Sequence, residues 1–405
     1  MLTTECPICH SPSLLVVRLS AAKSCSSLYN IKSHGSSDLA SYYKCTVCNF
    51  LRTDYFDQWS NDDFAQRIYN DEYHLVDGDY SGNRAKGIVN YYQHIFRDVL
   101  GKEGQAILDY GSGSGAFVNF MKEQGYKSIR GYDPFSNPDA QFDRKANDVV
   151  TCWEVIEHER DPHLIFGTLL DAVQDEGLVV ISTLLIGDKP AEVIYGHWYA
   201  APRNAHLSLY SVGAFAYLCG KHGLSLKTDG QGKVVCSRRD LTLPDLYGPQ
   251  DLSGEPYRRA ISIVPEGHNY WLENDRDRKF IWFDASPITT YYIYSEDPDV
   301  SAKVGAKVNV RMDLLLPLSV VGTKEARITI ADNSQVLFTT TVAKEGWTTV
   351  EFVADVPSVD GVLFQPFRLS IETVEGRLFS ALAGDRILSY AVANLQGRVI
   401  AIRDL

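Results

Sequence analysis

Between residues 106 and 236 the chain alternates compact apolar runs with amphipathic stretches. Residues 106–109, 128–132, 148–152, 178–183, 224–227 and 233–236 are short apolar runs bounded by turn-forming residues, which predicts strands. Segments 117–124, 162–173 and 212–222 carry apolar residues at helical spacing instead. Asp161 and Pro162 open the second of these, the acid as N-cap and the proline at the first helical position. Strands alternating with helices predict an α/β domain whose mostly parallel sheet is covered on both faces. Upstream, 84–100 reads as one amphipathic helix, with Ile88, Tyr91, Tyr92, Ile95, Phe96 and Val99 on a common face and glycines 101 and 104 closing it. Ser60-Asn61-Asp62-Asp63 predicts a further helix start ahead of Phe64. After residue 241 the pattern changes. A proline-containing link leads into runs rich in valine, threonine, isoleucine and tyrosine at 280–284, 290–294, 307–314, 326–331, 335–342, 348–353 and 367–373, spaced as in a β-sandwich. Asp332-Asn333-Ser334 supplies a hairpin turn among them. The pattern thus divides the chain into a module over 1–58, an α/β domain over 59–240 and a linker with a sandwich over 241–405.

A length of 405 residues fits two or three such domains. The apolar fraction of 45% and charged fraction of 22% are those of a soluble globular protein. No uncharged apolar run of about 18 residues is present, so no membrane span is expected. The N-terminus has no basic region followed by an apolar core, so no secretory signal is expected and the location predicted is cytoplasmic. A net charge of −12 argues against a general nucleic-acid binder, which needs basic surface to displace counterions.

The first module carries Cys6-Pro-Ile-Cys9 and, after a 35-residue interval (10–44), Cys45-Thr-Val-Cys48. Two C-x-x-C turns can set four thiolates at the corners of a tetrahedron, the arrangement of a closed structural zinc site. Disulfides are the alternative, and the missing secretory signal speaks against them. His10 could substitute as a ligand but is not needed. Cys25, Cys152, Cys219 and Cys236 are scattered and read as ordinary thiols.

The strand at 106–109 ends on Asp109 and is followed by Gly111-Ser112-Gly113-Ser114-Gly115. Glycines let the backbone turn sharply and approach a ligand. About 20 residues on, the next strand ends on Asp133, placed to accept hydrogen bonds from both hydroxyls of a ribose. Gly111 to Ala116 also fits the dinucleotide fingerprint, so a nicotinamide or flavin cofactor is a rival reading. The D-x-G-x-G-x-G pattern of Asp109 to Gly115, with Trp153-Glu154-Val-Ile-Glu157-His158 after the strand at 148–152, resembles the class I SAM-dependent methyltransferases. That resemblance implies a Rossmann-like sheet and S-adenosylmethionine (SAM) as cofactor. It implies that Asp109, Gly111, Ser112, Gly113, Gly115 and Asp133 hold the cofactor, with Pro134, Trp153 and Glu154 around it. It also implies a lid from the preceding segment, for which Tyr69, Tyr73, Tyr80 and Arg84 are candidates. One departure is plain. The short span between Asp133 and Asp148 leaves little room for the usual next helix and strand, and Asp143 is a weak candidate for the missing adenine-recognising acid.

Residues 184–210 form a loop rich in histidine and aromatic groups at the substrate end of the sheet. Its His206-Leu-Ser-Leu-Tyr210-Ser segment is similar to one in antibiotic-sugar methyltransferases, which also begin with a zinc-binding cysteine module. That likeness spans residues 1–236 and implies that His206 lies near the transferred methyl group. A neutral histidine suits removal of a hydroxyl proton, in the order His206, His158, His197, with Tyr210 beside them. Trp198, Tyr199 and Tyr210 suit a flat sugar face. Glu154, Glu157 and His158 could instead hold a divalent cation. The sandwich tail departs from the sugar C-methyltransferases and favours O-methylation of a sugar hydroxyl, in a surface polysaccharide or its precursor. C-methylation of a nucleotide-linked keto-sugar, methylation of a quinone-like acceptor and a non-catalytic glycan scaffold are the rival readings. The tail is expected to bind glycan or to join copies of the chain as a homo-oligomer.

Overall fold

The computed structural model describes residues 3–26, 38–77, 83–96, 104–135, 137, 139–186, 189–239, 243, 246, 262–265, 270–275, 278–284, 288–295, 305–374, 381–383 and 386–403. The backbone forms two compact units, Met1–Ser211 with Gly232–Arg239, and Val212–Gln231 with Asp240–Leu405. Among the described residues no helix is long and apolar enough to cross a membrane.

The first 239 residues run β1 (Thr3–Glu5), β2 (Pro12–Ser20), β3 (Leu39–Cys45), β4 (Leu51–Thr53), α1 (Asn61–Arg67), α2 (Tyr73–Val76), α3 (Asn83–Phe96), β5 (Ile107–Tyr110), α4 (Ala116–Glu123), β6 (Ile129–Tyr132), β7 (Asn147–Trp153), α5 (Pro162–Ala172), β8 (Val173–Ser182), α6 (Ala191–Gly196), β9 (Ser208–Leu209), α7 (Val212–His222), β10 (Ser225–Thr228) and β11 (Lys233–Ser237). Helix starts are where the sequence signals put them. Ser60 and Asp63 form a reciprocal capping box, and Asp161 Oδ1 accepts from the N–H groups of His163 and Leu164. Residues 97–103, which hold the expected end of α3, lie outside the described set.

In the first unit, β5 pairs in parallel with β6 on one side and β7 on the other, β7 pairs in parallel with β8, and β11 closes antiparallel on β8. All four residues of β5 are buried, as a central strand covered on both faces requires. Strand order reverses at β5, with β6 added on one side and β7 and β8 on the other, so the crevice beyond its carboxyl end is where an open α/β sheet binds ligands. The span 134–146 adds no strand among the described residues, and β6 is the edge. A second sheet, β1 to β4, is antiparallel and gains β9 through the pairing of Leu51 with Leu209. Its core is shared. Leu19, Ala40, Tyr42 and Leu51 pack with Ile186, Ile194, Tyr199, Ala200 and Leu209, so the cysteine module and the 184–209 loop fold around one another.

The second unit holds α7, β10 and an antiparallel assembly of β12 (Ser262–Pro265), β13 (Tyr270–Asp275), β14 (Arg278–Asp284), β15 (Ile288–Tyr294), β16 (Gly305–Leu316), β17 (Ala326–Ala331), β18 (Val336–Val342), β19 (Gly346–Val359), β20 (Val362–Thr373), β21 (Ala381–Ala383) and β22 (Arg386–Arg403). The run β12-β15-β20-β17-β18 and the run β13-β14-β22-β16-β19 meet at the β19–β20 hairpin, turned by Asp360 and Gly361 at φ 50° and 76°. Tyr291, Val308, Met312, Ile328, Phe352 and Phe367 lie in its buried core. The Asp332 turn forms as expected, its carboxylate accepting from the N–H groups of Ser334 and Gln335. β22 escapes the sequence pattern because Ala-Asn-Leu-Gln-Gly breaks its alternation, and its register shifts against β16 nearby.

Candidate active site

Sγ atoms of the four module cysteines lie 3.7 Å (Cys6–Cys48), 3.4 Å (Cys9–Cys45) and 3.6 Å (Cys9–Cys48) apart. A tetrahedral site with metal–sulfur bonds of about 2.3 Å has edges of about 3.8 Å, so the set fits zinc. A disulfide needs about 2.05 Å, and none of the eight cysteines is joined in one. Main-chain N–H groups of Ile8, Val47 and Cys48 point at Cys6 and Cys45 sulfurs, as in metal-binding knuckles. His10 is turned to Glu5 at 2.7 Å and stands outside the set.

Beyond β5 the chain turns through Gly111, Gly113 and Gly115 at φ 74°, 50° and 75°. A Cβ on Gly111 would stand 2.4 Å from Val155, so glycine is required there for space as well as for conformation. Cβ atoms on Gly113 and Gly115 would meet nothing, which marks the open side of a cradle. Ser112 Oγ lies over Gly131, whose Cβ would be 2.6 Å from it. Asp133 ties the loop to β6, Oδ2 accepting from Gly113 N–H at 2.8 Å and Oδ1 from Phe135 N–H at 2.9 Å. Asp109 is buried and accepts from Thr151 Oγ1 at 2.7 Å, yet burial raises its carboxyl to about 7. Trp153, edge-on to Phe117 at 5.5 Å, has its indole N–H buried without a partner.

After Trp153 the chain bends sharply, Glu154 taking φ 53° with its N–H on Ser182 O at 2.9 Å. Ser182 Oγ donates to Glu154 Oε1 at 2.5 Å. A short turn, Ile156–His158, buries Glu157, whose Oε1 accepts from Tyr199 OH at 2.6 Å. The same phenol lies 3.2 Å from Glu154 Oε2 and 3.1 Å from Thr183 Oγ1. Burial, then the Glu154 charge, pushes Glu157 up to about 8. His158 and His206 stand edge to face, centroids 5.0 Å apart. His158 Nδ1 lies 3.1 Å from Ala205 O, and His206 Nδ1 lies 2.7 Å from Tyr199 O. Donation to carbonyls leaves each Nε2 with a lone pair. Burial takes His158 down to about 4 and His206 well below the ordinary imidazole value, so both are neutral.

Residues 84–228 match a family model described as a methyltransferase domain. This part of the chain is a SAM-dependent methyltransferase domain. No curated protein matches the chain. Similar solved structures include an O-methyltransferase family protein from Burkholderia thailandensis, at 12% identity and TM-score 0.32, covering 44% of this chain and 64% of that one. A phosphoethanolamine N-methyltransferase of Haemonchus contortus shows 15% identity and TM-score 0.32 over 55% of this chain and 56% of that one. A SAM-dependent methyltransferase from Mesorhizobium loti shows 20% identity and TM-score 0.20 over 25% and 55%. The chain spans less than two thirds of the length of each, and likenesses of this size say nothing about the acceptor.

The methyltransferase domain brings some of the expected site residues together and leaves others apart. Tyr69 links the two halves of the site, its ring 5.0 Å from Phe135, 5.0 Å from Tyr73 and 6.3 Å from His158. Arg203 fastens the loop to this segment by donating to Ile68 O at 3.0 Å. Arg84 pairs with Asp77 at 2.8 Å, and Tyr80 lies outside the described residues. Pro134 is exposed beside Phe135, and Asp143 pairs with Arg130 at 3.1 Å. His197 stacks on Trp198 and accepts from Tyr199 N–H, apart from the histidine pair. Tyr210 is buried edge-on to Phe50 at 5.0 Å, on the cysteine-module side. Sequence reasoning missed Thr151 and the bridging role of Tyr199. Thr151 faces Asp109 only through strand register, which carries no local signal.

Proposed function

We propose that the enzyme methylates a sugar hydroxyl, in a surface polysaccharide or its precursor, in the cytoplasm, with zinc in the four-cysteine cluster holding the N-terminal module. The observation that carries this reading is the line of rings from Phe135 through Tyr69 to His158 and His206, which links the glycine cradle to a pair of neutral bases. The cradle suits SAM. Asp133 accepts the ribose hydroxyls, open backbone at Gly113 and Gly115 admits the nucleoside, and buried Asp109 gains a cationic partner in the amino-acid end. Bound SAM supplies a methyl group already activated on a sulfonium. The protein therefore has to align the acceptor and take its proton, a role worth about 10²–10⁴ in rate. His206 Nε2 is the first choice for that proton and His158 the second. Tyr195 and Trp198, 64% and 54% exposed, suit a flat sugar face, with His197 alongside. The acceptor class rests on the likeness of the 206–211 segment to sugar methyltransferases. The C-terminal unit would hold the polymer or join copies of the chain.

The test is transfer of labelled methyl from SAM to a panel of nucleotide sugars, oligosaccharides and phenols, with NMR of the product. Methyl on a sugar oxygen supports the reading. Methyl on a sugar carbon, or transfer only to phenols, overturns it.

A further inference from the structure

We infer that Glu157, His158 and His206 form a binding site for one divalent first-row transition-metal cation, separate from the cysteine cluster. Only its role, not its existence, rests on the pocket being the acceptor end. A carboxylate oxygen of Glu157 and one ring nitrogen each from His158 and His206 lie within 4.8 Å of one another. Glu157 is 1% exposed, and its Oε2 has no hydrogen-bond partner. A buried acceptor without a donor is costly, and a cation is one group that would satisfy it. Each imidazole is already held as metal-bound imidazoles usually are, with Nδ1 on a main-chain carbonyl, which makes Nε2 the ligating nitrogen. Among the described residues no lysine or arginine pairs with Glu157, and His158 Nε2 lies 3.8 Å from its Oε1, the oxygen that also accepts from Tyr199. Tyr199 OH fixes the other carboxylate oxygen and carries the pocket on to Glu154.

Two imidazoles and one carboxylate suit manganese, iron, cobalt or zinc better than magnesium or calcium, which prefer oxygen donors throughout. Bonds of about 2.0–2.2 Å would draw the three donor atoms to roughly 3 Å from one another. Three protein ligands leave coordination positions open for an acceptor oxygen, whose hydroxyl becomes more acidic on a cation. In that state His158 and His206 both hold the metal, and the acceptor's proton passes to solvent water instead of to either ring.

The test is a Mn²⁺ titration of the full chain as purified, its cysteine cluster left loaded, with free Mn²⁺ counted by electron paramagnetic resonance. Wild type, Glu157→Gln, His158→Gln, His206→Gln and, as an exposed control, His74→Ala are compared. Thermal melting and S-adenosylhomocysteine binding serve as fold checks for each. The expected result is one Mn²⁺ per wild-type and control chain, and at least tenfold weaker uptake in the folded Glu157, His158 and His206 variants. Absence of saturable Mn²⁺ uptake in wild type that binds S-adenosylhomocysteine overturns the site while leaving the methyltransferase reading intact. Equal uptake in all folded variants also overturns it. Uptake that follows the ligands in a protein that methylates no sugar upholds the site and sinks the acceptor assignment alone.

Discussion

The cysteine cluster and the histidine pocket both bury groups able to hold a metal, within the same unit, yet they are built in different ways. Cys6, Cys9, Cys45 and Cys48 sit on two tight turns, each of which presents two sulfurs by itself. Glu157, His158 and His206 come from the end of β7 and from a loop about 50 residues later, held by contacts with Tyr42, Ile68 and Tyr199. A site written locally survives changes elsewhere; an assembled site depends on every support. The supports here run through the cysteine module. Tyr42 OH donates to His206 O at 2.7 Å, Ser211 Oγ donates to Cys48 O at 2.5 Å, and Leu51 pairs with Leu209.

The contrast breaks most visibly if the cysteine metal is stripped. Chelation, or Cys9→Ser, is expected to cost on the order of 10 kcal/mol in the module and to abolish methyl transfer with it, because the histidine loop leans on β3 and β4. Calorimetric melting and a methyl-transfer assay on one sample check this, and an unchanged melt speaks against a structural metal. Next in size is Asp109, which belongs with the locally written features. Its carboxyl is raised in the folded chain from 3.8 to about 7. Its share of stability is whole below about pH 4 and is lost as pH climbs through about 7, up to about 4 kcal/mol in all. Melting of ligand-free Asp109→Asn against wild type at pH 5 and pH 8 should show a smaller pH 8 deficit in the variant, the remainder including the share of buried Glu157. Tyr199→Phe sharpens the contrast from the other side. It removes the donor to Glu157 and should cost about 1–3 kcal/mol and at least tenfold in methyl transfer, with the cysteine metal content unchanged. Loss of zinc in that variant would show that the two sites are not separable in the way described. Smallest is Ser60→Ala, which removes one cap and should lower stability by about 1 kcal/mol by denaturant melting, leaving both sites intact.

Legibility in the sequence follows the same division. The glycine loop, both C-x-x-C turns and the caps at Ser60 and Asp161 depend on neighbours in sequence, and each forms where the pattern predicts it. The α/β core was also legible, since apolar runs buried on both faces show up as continuous stretches. β8 begins at Val173, ahead of the apolar run, because its first turns of chain carry exposed Asp175 and Glu176, which no apolar pattern marks. The histidine pocket was named only in part. His158 and His206 were candidates, but their meeting depends on where a long loop lands, and so does the separation of His197 and Tyr210 from them. The phenol shared by Glu154 and Glu157 and the left-handed backbone at Glu154 and Ala205 likewise leave no trace in residue spacing.

The most direct test of the central claim is calorimetric titration of the zinc-loaded protein with S-adenosylhomocysteine, repeated on Asp133→Ala. Micromolar binding in wild type, weakened about 100-fold or more in the variant, is the expected result, since the carboxylate both holds the glycine loop and meets the ribose. Equal affinity in the two proteins, or no heat in folded wild type, would contradict it.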